Sequence, residues 1–259
     1  MTERIAVEGL SIELVRRGRG RPLLFLHPAI GIEPDAPVLD RLAAGAQLIA
    51  PSHPGFGTSE LARGMTSVDD LAYFYLDLLE TLGLRDVALV GVSFGGWIAA
   101  EIAVKSTERI GSLVLADALG IKAGDRETRD IADIFAITEP EFRALAYHDA
   151  EAAKRDFTKL PEATLLAIAR NRESSARFGW SPYMHDPKLK GRLHRIKVPT
   201  LVLWGAADRI AAPNYGRAYA AAIPGARFEL IERAGHFPHL ERPDEFAAKT
   251  LAFVQGARS

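Results

Sequence analysis

Apolar residues along this chain fall into two rhythms. Short continuous runs at 22–26, 47–50, 87–90, 112–116, 200–204 and 227–231 are mostly too unbroken for a sheet with one wet face. They predict parallel strands covered on both sides. Between most of them lie stretches with apolar positions at helical spacing, 35–44, 67–82, 94–105, 213–222 and 243–254, and Pro213 and Pro243 suit the first turn of a helix. Ahead of the first run, 5–7 and 10–15 alternate in character and read as short antiparallel strands, followed by a turn at Gly18-Arg19-Gly20. Strand alternating with helix predicts an α/β fold built on a doubly wound, mostly parallel sheet.

The rhythm lapses between Leu119 and Lys197, where charged segments of helical character carry Phe135, Phe142, Tyr147, Phe157, Phe178, Trp180 and Tyr183. Because the lapse separates two strands of one sheet, it reads as an insertion: residues 1–118 and 198–259 form the core, and 119–197 form a helical cap. Such a cap would arch over the carboxyl ends of the strands, where open α/β sheets place their sites. Packing within the cap is the commoner fate of its aromatic side chains.

Composition narrows the partners. The chain has 259 residues, 48% hydrophobic, enough for one large core. Its 32 Lys plus Arg nearly balance 33 Asp plus Glu, with no long run of one sign, so neither nucleic acid nor an anionic membrane is indicated. A small-molecule substrate is the expected partner; composition does not set an oligomeric state. The absence of cysteine excludes disulfides and thiolate metal sites. No apolar run approaches the roughly 18 residues that span a bilayer, and the first residues lack a secretory or transit pattern, so a cytoplasmic location is expected.

One segment joins a predicted strand to a predicted helix through a serine between glycines, Gly91-Val92-Ser93-Phe94-Gly95-Gly96. Gly-x-Ser-x-Gly in that context is a nucleophile elbow, which holds the serine hydroxyl exposed at the end of its strand. A neutral hydroxyl is a poor nucleophile and needs a base within hydrogen-bond reach, with an acid behind the base. His236, after a glycine in the loop following the last strand, fits the base, while His239 reads as a packing residue. Asp208, in the loop after the 200–204 run, fits the acid, and Asp117, at the end of the 112–116 run, competes with it. The order Ser93, Asp208, His236 is the one the elbow architecture uses. For the oxyanion, one donor is the backbone N–H of Phe94; the second comes from the loop after the 22–26 run, where Ala29 is the first choice and Ile30 the second. Pro28 has no N–H to offer. His53 has no second ligand at useful spacing, so no metal and no cofactor are expected.

These residues make the chain resemble the α/β-hydrolase superfamily over nearly its whole length. The matching pieces are His27-Pro28-Ala29, Pro54-Gly55-Phe56-Gly57-Thr58-Ser59, Gly91 to Gly96, Trp204 to Asp208 and Gly235-His236. The resemblance implies Ser93 as nucleophile, Asp208 as acid, His236 as base, and Ala29 with Phe94 as oxyanion donors. Two positions depart from it: Pro28, where relatives usually carry glycine, and Ser52, where they usually carry an aspartate that braces the loop. Serine at position 93 points away from the dehalogenases and epoxide hydrolases of the superfamily, which use aspartate there.

Acyl transfer remains, with a carboxylic ester as the expected substrate. Carbon–carbon bond hydrolysis of a vinylogous diketone is the alternative, with Arg170, Asn171, Arg172 and Arg177 as possible carboxylate clamps; against it, Phe237 and Phe94 stand where those relatives carry tryptophan and methionine. Perhydrolase activity would be a side reaction of the same acyl-enzyme. A ligand receptor with an idle triad is the reading from a different class.

Overall fold

The computed structural model describes residues 2–125 and 127–257. In chain order the elements are β1 (Thr2–Val7), β2 (Leu10–Arg17), β3 (Pro22–Leu26), α1 (Pro37–Ala43), β4 (Gln47–Pro51), α2 (Val68–Thr81), β5 (Val87–Val92), α3 (Phe94–Lys105) and β6 (Ile110–Ala116). They continue as α4 (Glu139–Ala146), α5 (Glu162–Gly179), α6 (Leu189–Arg192), β7 (Thr200–Gly205), α7 (Pro213–Ala222), β8 (Arg227–Ile231), α8 (Pro238–Glu241) and α9 (Pro243–Gly256). Eight strands form one sheet in the order β1-β2-β4-β3-β5-β6-β7-β8. β2 pairs antiparallel with β1 and β4, and the remaining pairs are parallel. This is the α/β hydrolase fold.

The unbroken apolar runs have the cause the pattern implies. Every residue of β5 and β7 is buried, and alternate side chains go to opposite cores. Leu24, Leu26, Leu89, Leu113 and Leu115 join α2, α3 and α7 on one face; Leu23, Phe25, Val90, Val114 and Leu203 join Val38, Leu39 and Leu42 of α1 and Phe246 and Phe253 of α9 on the other. Helix α2 starts where the sequence places it because Ser67 and Asp70 close a reciprocal capping box. One short helix goes unread in the sequence: α8 lies inside the loop expected around His236, since a single turn is too short for a periodic signal.

The segment between β6 and β7 is less helical than its composition suggests. From Ala118 to Ile137 no helix forms among the described residues, and Asp130 instead organises the chain by accepting the N–H groups of Ala123 and Gly124. Helices α4 and α5 follow. The end of the segment returns to the core: Leu189, Leu193 and Ile196 are fully buried beside α3 and α7, and Arg195 donates to the carbonyl of Val104.

Candidate active site

Ser93 occupies the single residue between the end of β5 and the start of α3, with φ 53° and ψ −115°. That left-handed backbone is strained for a serine. Neighbouring bonds hold it there: its N–H donates to Ala116 and its carbonyl accepts from Trp97 and Leu119. The flanking glycines are required by close approach. A Cβ on Gly91 would lie 2.3 Å from the carbonyl oxygen of Gly95, and one on Gly95 would lie 2.2 Å from that of Leu26.

Three loops at the carboxyl edge of the sheet converge on this point. His236 Nε2 lies 2.7 Å from Ser93 Oγ, and His236 Nδ1 lies 2.8 Å from Asp208 Oδ2. All three residues are 2% exposed. Asp208 Oδ1 accepts the N–H groups of Ile210 at 2.8 Å and Ala211 at 3.1 Å, so both oxygens of its carboxylate and both ring nitrogens of His236 have partners. With Asp208 ionised, Nδ1 carries the ring proton and Nε2 is free to accept from the serine.

Asp117 is also buried beside this group, but its Oδ1 accepts the Gly205 N–H and it makes no bond to His236. A ring nitrogen of His236 and carboxylate oxygens of Asp117 and Asp208 fall within 4.8 Å of one another. The donor set does not fit a cation: backbone N–H groups point at both carboxylates and both ring nitrogens already face a partner.

The backbone of the His236 loop is anchored to the segment between β6 and β7. His236 N–H donates to Ala146 of α4 at 2.7 Å, and Glu241 of α8 accepts from Gly235 on one side and from His148 and Asp149 on the other. Arg209, next to Asp208, donates to the carbonyls of Ala144 and Tyr147.

Among the described residues, the N–H groups of Ala29, Ile30 and Phe94 donate to no protein acceptor. The loop carrying the first two is braced by residues that its own sequence does not announce. His53 Nε2 donates to the His27 carbonyl at 2.9 Å, its Nδ1 accepts from the Tyr75 hydroxyl at 2.5 Å, and its backbone N–H donates to His27 Nε2 at 3.0 Å. His27 Nδ1 then donates to Pro28. Burial pushes His27 down to about 4 and, with the neighbouring His27 ring adding, His53 well below the ordinary imidazole value; both rings stay neutral, as these bonds require. His53 therefore has no ring nitrogen to spare for a metal. From above, Asn171 of α5 donates to the Ile30 carbonyl and accepts from Gly57, and Ser175 lies 3.0 Å from the Ala29 carbonyl. At the Ser52 departure, the carboxylate comes from β2 instead: Glu13 accepts from the hydroxyl and N–H of Thr58.

Ser93 faces a chamber of about 20 Å³ lined by Leu119, Ile131, Ile134, Phe142, Met184 and Phe237, with no Lys, Arg, Asp or Glu side chain among its lining. Ala29, Ile30, Ile134 and Phe142 also line a second cavity of about 230 Å³ under α4 and α5. None of the four candidate carboxylate clamps reaches the Ser93 chamber. Arg170 donates to Ser59, Asn171 braces the loops, Arg177 pairs with Glu173, and Arg172 lines the larger cavity. No helix among the described residues is long and apolar enough to cross a membrane.

Comparison with known proteins adds lineage to this geometry. A family model described as the alpha/beta hydrolase family matches residues 23–249. A 2-hydroxy-6-oxo-6-phenylhexa-2,4-dienoate hydrolase of Comamonas testosteroni is 28% identical, over 92% of this chain and 89% of its own. Among solved structures, a variant of the meta-cleavage product hydrolase CumD superposes with a TM-score of 0.81 at 19% identity, covering 98% of each chain. Naproxen esterase of Bacillus subtilis superposes with a TM-score of 0.77 at 18% identity, covering 98% of this chain and 90% of its own.

Proposed function

Because the chain belongs to the alpha/beta hydrolase family, we propose that it is a serine hydrolase cleaving a small, uncharged carboxylic ester through an acyl-enzyme on Ser93. The observation that carries this reading is the continuous set of bonds from Ser93 Oγ through His236 to Asp208, at 2.7 and 2.8 Å. His236 takes the serine proton through Nε2 as Oγ attacks the carbonyl carbon, and Asp208 holds the imidazolium so formed. The tetrahedral oxygen receives the unused N–H groups of Phe94 and Ala29. Collapse of the intermediate expels the alcohol, which takes the proton back from His236. Water then repeats the sequence, releasing the acid and restoring Ser93.

The apolar chamber supports a neutral substrate. A carboxylate beside the scissile bond would be buried with no cation facing it, which is costly. The small chamber volume means that a substrate reaches Ser93 by displacing Ile30, Ile134 or Phe142 from the wall shared with the larger cavity.

Carbon–carbon bond hydrolysis is the second reading, supported by the name of the 28% identical relative, and it uses the same three residues. An ester panel run beside a vinylogous diketone separates the two. Ester turnover, with a fluorophosphonate label mapped to Ser93 and both lost in Ser93→Ala, is the expected result. Turnover of the diketone alone would replace the ester assignment, and ligand binding without turnover of either would make the protein a receptor.

A further inference from the structure

Asp117 is fully buried directly after β6, and the serine chemistry gives it no task. Its backbone has φ 44°, a left-handed conformation that aspartate and asparagine tolerate better than most residues. Oδ1 accepts from Gly205 at 2.9 Å, while Oδ2 meets no N–H or O–H donor. What stands beside it is the side chain of Asp208, a carboxylate oxygen of each lying within 4.8 Å of the other.

Two carboxylates this close in a dry interior resist being ionised together. The number of donors decides where the proton resides. Asp208 accepts three, from Ile210, Ala211 and His236; Asp117 accepts one. The unpartnered Oδ2 of Asp117 is then the hydroxyl oxygen, and Asp208 is its acceptor.

We propose that Asp117 stands as a carboxylic acid donating its hydroxyl to Asp208, a positioning residue that holds the acid of the triad in place and tempers its charge. The groups facing it agree. Burial, then the Asp208 charge, with Glu241 of α8 adding, push the Asp117 carboxyl well above its ordinary range, and the His236 ring, within 4.8 Å of both carboxylates, bonds only to Asp208. The proton stays on Asp117 throughout turnover, while Asp208 remains the anion that meets the imidazolium. A donor on Asp208 weakens its hold on that imidazolium. The catalytic consequence rests on the serine-hydrolase reading; the location of the proton does not.

Two substitutions test this. Asp117→Asn keeps the shape, tolerates the backbone, accepts from Gly205 through its oxygen and donates to Asp208 through its amide. Asp117→Gly suits the positive φ and removes the donor. Infrared spectra at neutral pH report the carboxylic-acid C=O band, and the rate of fluorophosphonate labelling at Ser93 reports the site across pH.

The expected results are a carboxylic-acid band lost in Asp117→Asn, and labelling of that variant within about threefold of the wild type with its acid limb in place. Asp117→Gly should label about tenfold more slowly, its acid limb displaced upward by about half a pH unit because Asp208 holds the imidazolium more strongly. Three results would each overturn the proposal: no acid band lost in Asp117→Asn, an acid limb moved downward in that variant, or a slow Asp117→Gly with an unmoved limb. If Asp117→Gly fails to fold, the asparagine variant and the band decide. An acid band lost in Asp117→Asn, together with no labelling of the wild type, would refute Ser93 as nucleophile and still support the proton on Asp117.

Discussion

Replacing Asp208 by asparagine is a sharp test because the surrounding donors dictate which way the new amide turns. The N–H groups of Ile210 and Ala211, at 2.8 and 3.1 Å, need an oxygen in front of them. Presenting an NH₂ to them instead would leave buried donors unpaired, at about 1–3 kcal/mol each. The amide NH₂ therefore faces His236 Nδ1, which can only accept. The ring proton moves to Nε2 and points at Ser93 Oγ, 2.7 Å away. An imidazole protonated there cannot take the serine proton. The expected loss in kcat is on the order of 10⁴, as in other triads carrying this change, or about 5 kcal/mol of transition-state stabilisation. Asp208→Ala leaves the ring free to choose its tautomer, so its loss should equal or fall below that of asparagine. The assay is turnover of 4-nitrophenyl acetate, with thermal unfolding of each variant alongside. A loss under about tenfold in Asp208→Asn would refute the reasoning and transfer the acid role to Asp117.

Two further outcomes follow from the packing around the site. Phe142→Ala removes part of the wall between the chamber at Ser93 and the larger cavity; long acyl esters should gain about tenfold in kcat/KM relative to acetate, and an unchanged chain-length preference would place access elsewhere. His239 packs between Phe25, Phe237 and Phe246 with neither ring nitrogen bonded, and burial pushes it down to about 3. The unfolded chain thus binds a proton that the folded chain refuses. This contribution to stability is full above about pH 6.5 and lost as pH falls toward about 3, at up to about 1.4 kcal/mol per pH unit. Urea unfolding should show His239→Leu gaining on the wild type between about pH 7.5 and about pH 5, with activity kept; a constant difference would mean that the ring is protonated or solvated in the folded state.

The sequence by itself determined the sheet and the strand-to-helix turn that carries Ser93. Runs such as Thr200–Gly205 are apolar without interruption because both faces of their strands are covered, and the pattern carries that information locally. The glycines around Ser93 are likewise local: β5 and α3 approach so closely at the elbow that Gly91 and Gly95 have no room for a Cβ. Helix boundaries at Pro213 and Pro243 were equally readable, because proline at a first turn acts through its own backbone.

What only the tertiary structure decided are the relations between residues far apart in sequence. Asp117 and Asp208 both follow strands that end beside Ser93, and no local signal ranks them. The ranking comes from which loop turns its carboxylate toward His236 and which toward Gly205. The brace of His27, His53 and Tyr75, the clasp of Asn171 and Ser175 from α5, and Glu13 at the Ser52 departure are invisible for the same reason: each joins elements that only folding brings together. The small chamber over Ser93 depends on side chains from three loops and the segment between β6 and β7 packing at once, a property of volume that no pattern along the chain encodes.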